Sequence, residues 1–61
     1  MNQTFKELAD KAASMEKSGE LSAAASCWRK AGAYSDNQLN RDWCAARAEF
    51  CDNHLWMEVV A

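Results

Sequence analysis

AASMEKSGELSAAASCWRKA, residues 12–31, is the stretch that decides the fold. Ala12 and Met15 on one side of Gly19, and Leu21, Ala24, Ala25, Trp28 and Ala31 on the other, recur at three- and four-residue intervals. That spacing places apolar side chains on one face of a helix. A glycine between two such runs closes the first helix by taking the left-handed conformation. The link between the runs is so short that the two helices must lie antiparallel, as an αα-hairpin. The pattern A-x-x-M-E-x-x-G-E-L-x-x-A-A-x-x-W-x-x-A has the form of a tetratricopeptide-type hairpin, present once. One such hairpin cannot bury its own face. Either a third helix caps it or a partner supplies the missing surface.

Working outward, Thr4 and Glu7 form a T-x-x-E capping box, so the first helix is expected over about 4–18. Phe5, Leu8, Ala9, Ala12 and Met15 make its apolar stripe. The second helix is expected over about 21–34, weakened near its end by Gly32, and Ser35, Asp36 and Asn37 make a turn. The third is expected over about 38–56, with Asn40 as N-cap and Asp42 in the first turn, where the helix dipole favours an anion. Leu39, Trp43, Ala46 and Phe50 form its main stripe, extending towards His54 or Met57. Cys44, Cys51 and Leu55 form a second, weaker one. The chain has no proline, only two glycines and no stretch of period two. The predicted architecture over residues 1–61 is therefore a single all-α domain. It consists of a TPR-like antiparallel hairpin, a longer third helix and an apolar tail, 55–61.

With 61 residues the chain has room for one domain. Its formal net charge is −2, with both signs interspersed. A polyanion needs clustered Lys and Arg, so direct nucleic-acid binding is not expected. Three cysteines cannot all pair internally, and Met1–Ser18 is too polar for a secretory signal. A reducing cytoplasm is the expected setting. No apolar run approaches the roughly 18 residues of a membrane span.

Chemistry-bearing residues are few. Cys44, Cys51 and His54 can be drawn as metal ligands on one helix, with Cys27 arriving from the second. A structural zinc site usually takes its four ligands as close Cys or His pairs, so neither metal nor cofactor is expected, and the thiols are read as small apolar residues. Cys51 and His54 also have the residue types of a nucleophile and base, but nothing orients the imidazole and no cleft is evident. No enzymatic activity is expected. Trp43, Arg47 and Phe50 stand at i, i+4 and i+7 on one face. Bulky anchors beside a cation fit a protein-recognition surface and fit a small core equally well. Arg47 can contact a partner, pair along its own helix with Asp42, or lie over Trp28 or Trp43. Leu55 and Trp56 open a tail with one charge in six residues, which calls for a cover: a second copy, a partner groove or the hairpin itself. A homodimer is the favoured expectation. In a competing reading, Asn37, Gln38, Asn40 and Arg41 would lead the reading helix of a helix-turn-helix.

Glu16, Gly19, Ala24, Ala25, Trp28 and Ala31, followed by Asn40, Trp43, Arg47, Phe50 and Cys51, resemble the ANR proteins. These are small negative regulators of AraC-family virulence activators in Gram-negative bacteria, with PerC-like regulators as near relatives. The resemblance covers about residues 8–51, and its most specific block is N-R-x-W-x-x-x-R-A-x-F-C. It implies a regulator that binds an AraC-family activator and blocks its dimerisation or DNA binding. It also implies a second partner, the histone-like nucleoid-structuring protein. Trp43, Arg47, Phe50, Leu55 and Trp56 are the expected interaction residues.

Overall fold

A computed structural model describes residues 3–58. It contains α1 (Gln3–Lys17), α2 (Leu21–Ala33), α3 (Gln38–Asn53) and one 3-10 turn, Leu55–Met57. There are no strands among the described residues, and the all-α class stands. The tail beyond residue 58 lies outside the described residues.

The α1–α2 corner is a Schellman closure. Gly19 takes φ 83°, its amide donates to Glu16 O at 3.1 Å, and the Glu20 amide donates to Met15 O at 2.9 Å. α1 begins at Gln3, so Thr4 sits inside the first turn instead of preceding it as the cap. Glu20 precedes α2 but its side chain makes no capping bond. That role falls to Glu58, far away in sequence. Its carboxylate accepts from the Ser22 amide at 2.9 Å and the Ser22 hydroxyl at 2.6 Å. A carboxylate there satisfies one of the unpaired amides of the first turn and meets the positive end of the helix dipole.

α3 is capped by Asn37, not Asn40. Asn37 is extended (φ −101°, ψ 120°), and its side-chain oxygen accepts from the amides of Leu39 at 2.8 Å and Asn40 at 3.3 Å. Both residues satisfy the sequence preference. The Ser35 hydroxyl, 3.2 Å from the Asn37 amide, braces the earlier of the two. α3 ends at Asn53, three residues short of the expectation, and the reason lies in His54. The ring Nδ1 of His54 donates to Phe50 O at 2.7 Å, taking the carbonyl that its own amide would use in a continuing helix. The amide donates instead to Cys51 O at 3.1 Å, and the chain tightens into the 3-10 turn that delivers Glu58 to α2. α3, at 16 residues, is therefore hardly longer than α1 at 15.

α2 lies between the other two helices and buries Leu21, Ala24, Ala25, Cys27, Trp28 and Ala31. Ala12 from α1, and Cys44, Ala48 and Cys51 from α3, complete the core, with Phe5, Leu8 and Met15 packed against it. The orientation of α3 reverses the expected order of its stripes. The weaker pair, Cys44 and Cys51, faces in with Ala48, whereas Leu39, Trp43, Ala46 and Phe50 face out. Leu55, expected with the inward pair, is exposed. Gly32 supplies the cause: a Cβ on it would stand 3.3 Å from Cys44 Cβ. At that approach only small residues fit between α2 and α3, so the larger side chains are turned outward. Arg29 of α2 and Asp52 of α3 form an exposed ion pair along the same seam.

Candidate functional site

One carboxylate ties the three helices together. Glu16, in the last turn of α1, has a side chain only 15% exposed. Its Oε1 accepts from Trp28 Nε1 of α2 at 3.2 Å and from Cys51 Sγ of α3 at 3.2 Å. Arg47 Nη2 of α3 donates to both carboxylate oxygens at 2.8 Å. Burial alone would raise the Glu16 carboxyl, but the bonds from Arg47, Cys51 and Trp28 and the Arg47 charge outweigh it and hold it below its ordinary value of 4.5. The Arg47 guanidinium is made more basic by its bond to Glu16. Cys51 moves opposite to Glu16. Burial first, then the neighbouring carboxylate, pushes its thiol up to about 11, so it stays protonated and donates.

Arg47 thus pairs across the helices, not with Asp42 on its own. Its guanidinium carbon stands 4.8 Å from the centre of the Phe50 ring, not over either tryptophan. Phe50 stacks on His54 at 4.2 Å, and His54 lies 6.3 Å from Trp56. Trp43 and Trp28 meet in a T-shaped contact with ring centroids 4.8 Å apart. The result is a row of flat groups along α3 and the turn after it: Arg47, Phe50, His54 and Trp56. Its base is fixed to the core through Glu16. Trp28 is 2% exposed and belongs to that core. Trp43 is 52% exposed, Phe50 42% and Trp56 80%. Leu39, Leu55 and Met57 are exposed around them.

The five residues expected at a contact surface therefore separate into two kinds. Trp43, Phe50, Leu55 and Trp56 present apolar area to solvent, while Arg47 is half committed to Glu16 and half open. Glu16 itself was not among them. A lone acid in a mixed-charge helix gives no sign of its partner when that partner is 31 residues away.

The drawn metal ligands do not converge. Cys27, Cys44 and Cys51 are free and buried, and among the described residues no group of three or more His, Cys, Asp and Glu is placed to hold a metal. Cys51 and His54 are each engaged elsewhere, the thiol with Glu16 and the ring with Phe50 O, so they do not form a nucleophile–base pair. The polar residues at the start of α3 are likewise occupied. Gln38 bonds Asp42 at 2.7 Å, and Arg41 bonds Ser35 O at 3.0 Å and Gln38 at 3.1 Å. No helix among the described residues is long and apolar enough to cross a membrane. Comparison with protein-family models, curated proteins and solved structures finds no match.

Proposed function

We propose that this protein is a small non-enzymatic regulator that represses transcription by binding an AraC-family activator and blocking its dimerisation or DNA binding. One observation carries the protein-contact part of the reading: Trp43, Phe50, Leu55, Trp56 and Met57 are each between 42% and 80% exposed. A chain of 61 residues has little apolar area to spare, and leaving this much outside its own core makes sense where another polypeptide covers it. The choice of an AraC-family activator rests on the resemblance of the block from Asn40 to Cys51. In this reading Phe50 and Trp56 are the anchors, and burial of one or two such rings dominates the affinity.

The test is reconstitution of the purified protein with an AraC-family activator from the same bacterium. Sedimentation reads the activator's dimerisation and a gel shift reads its DNA binding. Trp56→Ala is expected to weaken the complex by about 2 kcal/mol, roughly 30-fold in Kd, with helical circular dichroism intact. An activator that dimerises and binds DNA equally well with and without the protein refutes the proposal. Sedimentation of the protein alone across a concentration series tests whether a second copy covers the row in the free state.

A further inference from the structure

A groove runs between α1 and α3 over the start of α2. Ala13, Leu21, Phe50 and Met57 line it with apolar surface. Lys17, Arg47 and His54 bring nitrogen to it. Among the described residues Glu16 is its one acid, and Arg47 neutralises that acid. With His54 neutral, the ionised lining groups are Lys17 and Arg47 against Glu16, which leaves +1 on a chain whose total is −2.

The donors at this groove are only partly used. Arg47 reaches Glu16 through Nη2 alone, so Nη1 and Nε donate to no group among the described residues. Lys17 makes no ion pair among the described residues. A carbonyl oxygen only accepts, so the bond to Phe50 O requires the proton of His54 on Nδ1 and leaves Nε2 without a partner among the described residues. Unspent guanidinium and ammonium donors beside an apolar floor are complementary to a carboxylate on an apolar stem.

We propose that this groove takes an acidic residue of the partner protein together with a neighbouring apolar side chain. The carboxylate lies between Lys17 and the free edge of Arg47. The apolar side chain rests on Leu21, Phe50 and Met57. Its assignment to the activator rests on the function proposed above; the chemistry of the groove does not. A single spare positive charge is too little for a phosphate backbone, which needs several.

The probe is 4-phenylbutyrate, with its neutral amide as the control, titrated into the isotopically labelled full chain and followed by NMR. Shifts are expected at Lys17, Leu21, Arg47, Phe50 and Met57, with the carboxylate binding about 3–5-fold tighter than the amide, the range of one partly exposed charge pair. Lys17→Gln, at an exposed position outside the core, removes that preference and leaves the remaining spectrum in place. Equal binding of the two probes overturns the proposal. So do shifts confined to Leu39 and Trp43, or groove shifts that follow protein concentration without any probe, which would mark a second copy as the occupant. With the activator, Lys17→Glu is expected to weaken the complex, whereas Lys30→Glu, at an exposed position of α2 that does not line the groove, is not. Carboxylate selectivity without that difference leaves the groove standing and removes the activator as its occupant.

Discussion

Replacing Glu16 by Ala removes one side chain and strands three donors on two other helices. The donors differ in what they can do next. Arg47, 36% exposed, turns to water at small cost. Cys51 is a weak donor and loses little. Trp28 is 2% exposed, and its Nε1–H has no second acceptor among the described residues, so it becomes a buried unsatisfied group. Such a group costs about 1–3 kcal/mol. Loss of the charged bonds from Arg47, discounted for its exposure, adds about 1 kcal/mol. The expected destabilisation is about 2–4 kcal/mol, which is comparable with all that a domain of this size retains. Glu16→Gln keeps one carbonyl oxygen for the indole and should cost about half as much. The assay is urea unfolding followed by circular dichroism. The decisive arm is a double-mutant cycle with Trp28→Phe, which removes the stranded N–H. If the assignment is correct, Trp28→Phe costs at least about 1 kcal/mol less in the Glu16→Ala background than in the native protein. Strict additivity, or a loss below about 0.5 kcal/mol for Glu16→Ala, would show that the carboxylate does not hold the helices together.

Acid should reach the same group. The folded Glu16 carboxyl titrates below its ordinary value of 4.5, so its contribution is complete above that pH and is lost as pH falls through the lower folded value. Stability should be level down to about pH 5 and fall below it, and Glu16→Gln should flatten the fall. Gly19→Ala forces a Cβ into the left-handed region at φ 83° and should cost about 1–2 kcal/mol in the same unfolding assay. Glu58→Gln removes the anionic cap of α2, and the Ser22 amide should exchange faster with solvent while amides in the middle of α2 do not. Equal protection at Ser22 would refute the cap.

The features that rest on neighbouring residues were legible in the sequence. The α1–α2 corner follows from Gly19, and the core position of Trp28 follows from the small residues around it. What sequence periodicity could not supply was the orientation of α3. Hydrophobicity favours the face with Trp43 and Phe50, whereas the distance to α2 admits only Cys44, Ala48 and Cys51, and that distance is a property of two helices together. The choice of Asn37 over Asn40 turned on the hydroxyl of Ser35 and not on either asparagine. Trp43, Arg47, Phe50, Leu55 and Trp56 stand out by residue type as candidates for contact, and the four apolar ones are exposed. The carboxylate that fixes Arg47 does not stand out, because Glu16 and Arg47 meet only after both turns have formed.

The cap on α2 has a consequence for the order in which a nascent chain matures. Glu58 is synthesised 36 residues after the serine it serves, and Arg47 follows Glu16 by 31. While only the first two helices have left the ribosome, α2 has an uncapped start and Glu16 has no cation. Such a hairpin gains little by settling early. The last ties on the hairpin therefore form only once α3 and the turn after it have been made.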